Sequence, residues 1–428
     1  MNDRRLRLWG WAMLALVGIL IVWGLARPWG IALDFANFYD AGQKARVGQF
    51  ADLYNPTAEI AGQPPLGNMS FFSAPVTSYL YVPLALLSPH AALFAFKVAD
   101  TVALIAGLVL LYRLVAPLAG PSGRAQGMFF ALFCTAVALF QPFWTIYRTG
   151  GQTTPFVFLL LVAGLAAYTR GGLVAAAVCY AAAVLIKPVL APGAILLFFL
   201  SPAPFRWTAL ALGLVVAVLS VAGFGLELHQ AFARTVLNES SSLLHPSMNS
   251  NPFAFIEPLF VPASDYFTGA RLPALPRLIG TVLRLAAIGL LVAEALALRK
   301  AGLSAPARRS ATYNLSLLLS LVASPVVWAH YLSLVFPLLA VAIALERHLP
   351  RAATLVLAAT VGLALFQHRI FMLQFERIVG FDSVGANLAA GLVKGVPLLL
   401  LLALVLIWRR SLLAALRDPR WAGLGSGG

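Results

Sequence analysis

Charge is what this sequence has least of. Only 11% of its 428 residues are Asp, Glu, Lys or Arg, less than half of the roughly 25% usual in a soluble domain. That shortage excludes a cytosolic enzyme and a disordered chain. Cysteine is nearly missing: Cys134 and Cys179 are the two present, both inside apolar segments, so neither a disulfide framework nor a cysteine metal site is indicated. There is no pair of histidines at i, i+4, no DxD pair in the first polar loop, and no Cys/His ligand spacing. A P-loop and a dinucleotide glycine fingerprint are also lacking, so nucleotide-driven transport has no engine here. No repeat period and no soluble domain stand out, and low complexity is confined to the short Gly/Ser tail 424–428.

What is abundant is apolar sequence, at 61%. Runs long enough to cross a bilayer, about 18 residues or more, recur along the chain. The first runs from Leu8 to Ala26 behind Arg4, Arg5 and Arg7; it reads as a spanning helix rather than a cleaved signal, because so many apolar segments follow. Further segments fall near 74–88, 91–112, 125–146, 153–169, 173–200, 207–226, 277–298, 311–323, 326–345, 352–372 and 386–408. The chain is therefore expected to be an all-α polytopic membrane protein with about 12 transmembrane helices, in one domain spanning 1–428. Lysines and arginines concentrate at the N-terminus, at 300–309, at 347–351 and in the tail 409–428, which the positive-inside rule places in the cytoplasm. Two polar stretches, 28–73 and 227–276, then face the other side. Each holds four acidic and two basic residues, whereas the whole chain carries +15. The basic balance is thus an orientation signal and not a nucleic-acid footprint.

Prolines interrupt two apolar segments, at Lys187-Pro188 and Ser324-Pro325. The segment 173–200 is either one kinked span or two short helices meeting near the outer surface with 74–88 only partly inserted.

Polar residues within this pattern are the candidates for chemistry. Asp34 lies just beyond the first span, where partial desolvation raises carboxylate basicity and suits it to accept a proton from a hydroxyl; it reads equally as a helix cap. Asp40 and Asp52 read as loop solvation and turn residues. Lys187 is flanked on both sides by apolar sequence, so it marks either a phosphate partner or a side chain snorkelling to the interface. Arg148 and Gln152 flank a helix junction and offer donors for phosphate or sugar hydroxyls, though Arg148 also reads as an ordinary loop arginine. Trp328, His330 and Tyr331 follow the second break; Trp328 alone fits an interfacial belt, while His330 favours a site. The His245 to Asn251 cluster, including Asn249, reads as a rim with amides for sugar hydroxyls or as a turn cluster.

Laid out in order, the motifs Asp34-Phe-x-x-Phe-Tyr39-x-Ala41-Gly42, Gly48, Leu53-Tyr54, Gly151-Gln152, Ile186-Lys187-Pro188, the Asn249 cluster and Ser324-Pro325-x-x-Trp328-x-His330-Tyr331 resemble glycosyltransferase family 87, the GT-C enzymes related to polyprenol-phosphate-mannose-dependent mannosyltransferases. Phe72-Ser73-Ala74-Pro75 stands where that family commonly has a Tyr-Pro-Pro-like stretch, and Asn249-Ser-Asn251-Pro where it has Asn-Gln-Ser. The resemblance implies a GT-C fold and an inverting, metal-independent transfer of a sugar, mannose by preference, from a polyprenyl phosphate donor to a glycolipid or glycan acceptor. It places the site on the outer face of the bacterial cytoplasmic membrane and calls for no cofactor. Asp34 would be the general base, Lys187, Arg148 and His330 would hold the donor phosphate, and Tyr39, Gln152, Asn249, Trp328 and Tyr331 would contact substrate. The competing expectation is a transporter or flippase of a lipid-linked sugar, kept open by Lys97, Asp100 and Glu294 inside apolar segments; a third is a silent GT-C-like scaffold.

Overall fold

The computed structural model describes residues 3–26, 33–148, 151–240, 243–267, 271–367, 377, 378, 380 and 383–424. Among these the regular structure is helical and no strand forms. Five helices are long and apolar enough to cross a membrane: α1 (Asp3–Ala26), α3 (Pro89–Val115), α9 (Ala203–Ser240), α10 (Ala274–Arg299) and α14 (Val384–Ile407). The pair formed by α4 (Gly123–Leu139) and the Gln141–Tyr147 stretch, bent by 56°, is apolar and long enough to make a sixth span if it crosses as one unit; it runs into the short α5 (Thr145–Arg148). Between them lie shorter helices: α2 (Leu33–Arg46), α6 (Thr154–Arg170), α7 (Leu173–Ile186), α8 (Ala191–Leu200), α11 (Ala305–Ala323), α12 (Phe336–Ala344) and α13 (Arg351–Ala364). The chain closes with α15 (Arg409–Leu416) and α16 (Arg420–Gly423). It is a multi-pass membrane protein.

The apolar segment 74–88 is not a spanning helix. Pro75 and Pro83 recur too closely for an uninterrupted i to i−4 hydrogen-bond ladder, and the stretch folds as 3-10 turns at Pro75–Tyr81 and Leu84–Leu86. Residues 173–200 resolve as two helices. The N–H of Lys187 still donates to the Ala183 carbonyl, 2.8 Å, but Pro188 forces Lys187 into an extended conformation, φ −129° and ψ 93°. The chain then turns through Pro188–Leu190 and returns as α8. Leu173 at the start of α7 and Leu200 at the end of α8 line the same cavity, so the pair is a hairpin with Lys187 at its apex.

The hairpin is seated on α11 through small residues. The Gly193 N–H donates to Ser320 Oγ at 3.0 Å, and a side chain at Gly193 would run into the Ser316 carbonyl and the Tyr180 hydroxyl. Such close backbone approach between helices is what glycine and serine permit inside a membrane. After Ala323, Pro325 again extends its predecessor, with Ser324 at φ −72° and ψ 131°, and the chain re-enters through the 3-10 turn Ala329–Val335 before α12.

Gly225, at φ +76°, breaks α9, and the residues around the break carry Phe224, Leu228 and Phe232 onto the first polar loop. Phe224 meets Phe50 at 5.0 Å between ring centroids and Phe232 meets Tyr54 at 5.8 Å. The first polar stretch and the start of the second thus pack together at one end of the bundle. At the opposite end Arg347 and Arg420 converge on Asp418, Arg409 pairs with Glu294, and Arg309 bonds the Tyr168 and Thr169 carbonyls.

Candidate active site

Asp34 is the second residue of α2, whose aromatic face fixes its position. Phe35, Tyr39, Phe71, Tyr81 and Phe96 are all buried, and Phe38 stacks on Tyr81 with centroids 4.9 Å apart. Gly42 allows α2 to touch the Tyr81 backbone, where any side chain would collide. This packing leaves the half-buried Asp34 facing Lys187 and the side-chain amide of Gln152. Burial raises its carboxyl above the ordinary value, against the opposing pull of Lys187 and Gln152.

Lys187 is brought to Asp34 by the hairpin apex, which Ser73 clasps by donating its hydroxyl to the Ile186 carbonyl at 3.2 Å. The Lys187 ammonium sits 4.4 Å from the centre of the Tyr331 ring, a cation–π contact. His330, buried, stands edge-on to Tyr331 with centroids 4.7 Å apart, and the charges of both Lys187 and Lys394 act on it. Gln152 is buried behind Gly151. That glycine holds φ +76°, and a side chain there would strike Phe96 and Phe35, so the Gly151-Gln152 pair reflects a backbone requirement. Trp328 is half-buried, and its carbonyl accepts from the Tyr331 N–H at 2.8 Å. Arg148 closes α5, but its side chain and residues 149–150 lie outside the described residues.

Two of the expected substrate contacts also hold the structure together. Tyr39 spends its hydroxyl on the Leu87 carbonyl at 2.8 Å and accepts from Gln43, which makes it a strut between α2 and the 3-10 turns. Asn249 accepts from the Val327 and Asn251 N–H groups, both 3.0 Å, and donates to the Pro325 carbonyl at 3.1 Å. Asn251 donates to the Ser324 carbonyl. The cluster therefore braces the chain break that precedes His330. Asn249→Ala is expected to destabilise the protein by about 2–4 kcal/mol, because it leaves buried N–H groups unpaired, without altering donor KM in the folded fraction. Thermal unfolding together with initial-rate kinetics reads both.

Asp40 is not a solvated loop residue either. It is buried and accepts from the Gly67 and Leu66 N–H groups at 2.7 and 3.1 Å, while Lys44 donates to the Asp52 and Asn55 carbonyls. The two residues tie the first loop down onto α2. Asp52 does serve a turn, accepting from Gln49 at 2.9 Å.

The structure adds two residues to the site. Asp100 of α3 is wholly buried and faces Lys187, Lys97 and the backbone N–H of Gln152. Neither of its oxygens closes a hydrogen bond of full geometry. Lys394 of α14 is buried, donates to the Gln367 carbonyl at 2.6 Å and lies within electrostatic reach of His330. Each is an ionisable residue inside an apolar span, and that is the signal that marks them. Among the described residues no three His, Cys, Asp or Glu side chains converge as metal ligands. The carboxylates of the site face lysines instead. One half-buried base beside a buried cation, with further cationic groups around His330, can deprotonate a hydroxyl and receive a phosphate at the same place.

The model of glycosyltransferase family 87 matches residues 71–325, well over half of the chain. The matched stretch includes Asp100, Gln152, Lys187 and Asn249, begins after Asp34 and stops before His330. No curated protein and no solved structure matches the chain significantly.

Proposed function

Because the chain belongs to glycosyltransferase family 87, we propose that this membrane glycosyltransferase moves a sugar, mannose by preference, from a polyprenyl monophosphate donor to a hydroxyl of a glycolipid or glycan acceptor. The observation that carries the reading is the half-buried Asp34 beside Gln152 and within electrostatic reach of Lys187. Asp34 takes the proton of the acceptor hydroxyl as its oxygen attacks the anomeric carbon from the face opposite the phosphate. The carbon–oxygen bond to phosphate breaks, its electron pair leaves with the polyprenyl phosphate, and the anomeric configuration inverts. Lys187 meets the charge that develops on that phosphate, an interaction strongest in the transition state. His330, beside Lys187 and Lys394, binds the same phosphate or orients the acceptor. Gln152 holds the Asp34 carboxylate toward the acceptor. Lysine suits this task as a compact cation that matches a phosphate without fixed geometry, and no divalent metal is required in this scheme.

The arginine-bearing end of the bundle, with both chain termini and the tail 409–428, is assigned to the cytoplasm of a bacterial cell by its charge. The end that carries Asp34 then faces the exterior of the cytoplasmic membrane, where lipid-linked donors replace nucleotide sugars. Purified protein in detergent, given polyprenyl phosphomannose and a glycolipid acceptor in the presence of EDTA, is expected to release polyprenyl phosphate. A protein that moved the donor across vesicles intact would instead be a transporter of lipid-linked sugar.

The raised Asp34 carboxyl sets the pH dependence. The base works only when deprotonated, so kcat/KM should climb with pH through an acid limb lying above the ordinary carboxylate range. A pH–rate profile measured with saturating acceptor checks this, and a limb at the value of a free carboxylate would rule out a desolvated base.

A further inference from the structure

A cavity of about 560 Å³ lies at the far end of the bundle from Asp34, at the base of the α7–α8 hairpin. Four arginines line it: Arg206 from the first turn of α9, Arg299 from the last turn of α10, and Arg308 and Arg309 from the first turn of α11. No carboxylate lines it, and among the described residues none of the four is ion-paired. Arg309 is held by the Tyr168 and Thr169 carbonyls at 3.2 and 3.3 Å. The charges of Arg299, Arg308 and Arg309 all bear on the Tyr168 hydroxyl, which is itself bonded to Ser201 Oγ at 2.6 Å. Like charges gathered around one hollow repel each other, and an anion placed there turns that repulsion into attraction.

We propose that this cavity binds the phosphate headgroup of an anionic phospholipid. The guanidinium forks match phosphate oxygens in paired hydrogen bonds, and basic pockets between spanning helices on the cytoplasmic side take such headgroups. The apolar part of the wall selects a lipid over a soluble anion. Leu173, Phe199 and Leu200 form it, and Phe199 is 66% exposed on the outer surface of the bundle, so an acyl chain can run from the basic floor along α8 into the bilayer. The occupant would bridge the start of α7, the end of α8 and the first turn of α11, bracing the base of the hairpin whose apex carries Lys187.

The test uses full-length protein stripped of lipid in a neutral detergent. Native mass spectrometry and thermal unfolding are recorded with phosphatidylglycerol, phosphatidylcholine or inorganic phosphate. Phosphatidylglycerol is expected to bind and to raise the unfolding temperature, while the other two leave it unchanged. The double variant Arg206→Gln, Arg308→Gln, which spares the structural Arg309, should bind phosphatidylglycerol at least about tenfold more weakly. The corresponding Lys pair should recover part of the loss. The lipid-free unfolding temperature of the Gln pair separates lost binding from lost folding, and should match that of the parent protein. Equal binding of phosphatidylglycerol by parent and Gln variant would overturn the proposal. So would equal protection by phosphatidylcholine, or by inorganic phosphate alone. Because the cavity is remote from Asp34, lipid binding is measured without any turnover, and its failure is distinct from failure of the transfer reaction.

Discussion

Asp34→Asn is expected to lower the rate of sugar transfer by about 10²–10⁴-fold, the usual contribution of a positioned general base, while donor binding stays measurable. The substitution keeps the shape of the side chain and its contact with Gln152 but removes the proton acceptor. It also relieves the burial that raises the Asp34 carboxyl, so the folded protein should tolerate it. Initial rates of polyprenyl phosphate release, paired with equilibrium binding of the lipid-linked donor, separate the two effects. A loss confined to kcat fits a base that acts only in the transition state. Retention of parent activity would remove Asp34 from the chemistry altogether, whatever its surroundings.

The second large effect is expected at Lys187. Lys187→Gln should reduce kcat/KM for the donor by about 10²–10³-fold, comparable to losing one electrostatic donor at a developing anion, with Lys187→Arg recovering part of it. Unlike the change at Asp34, this one should also weaken donor binding, because the phosphate is charged before the bond breaks. The substitution has a structural cost as well: it removes the cation whose charge bears on both Asp34 and the buried Asp100. Unfolding temperature should therefore fall in Lys187→Gln and recover in the double variant Lys187→Gln, Asp100→Asn, where activity remains low. Recovery of activity together with stability would mean that Lys187 serves only to neutralise Asp100, and its assignment to the leaving group would be lost.

Much of this site was legible in the sequence, because ionisable residues in apolar surroundings announce themselves. Asp34, Lys187, Gln152, His330 and Tyr331 stand out by type and flanking sequence, and the fold brings them to one end of the bundle. Tyr39 and Asn249 stand out equally, and in the fold their polar atoms bond backbone groups. Nothing local distinguishes a hydroxyl or amide that waits for a substrate from one already spent on a backbone group; only the Leu87 carbonyl against Tyr39 and the Pro325–Val327 backbone against Asn249 decide it. Asp100 and Lys97 stand out as charges within a span and suggest transport, since Lys187, the other cation that faces Asp100, lies on another helix.

Sequence alone determined that the chain is a helical membrane protein, that its helices break at Pro188 and Pro325, and which segments gather the arginines. Those properties follow from the cost of placing charge in hydrocarbon and from the missing N–H of proline, and both act over a few residues. Tertiary structure decided which way the chain runs after a break. Pro188 dictates an extended Lys187, but it is the close seat of Gly193 on Ser316 and Ser320 that turns 173–200 into a hairpin rather than a kinked span. That choice puts Lys187 beside Asp34 and Asp100, and the base of the hairpin among the arginines of the far cavity.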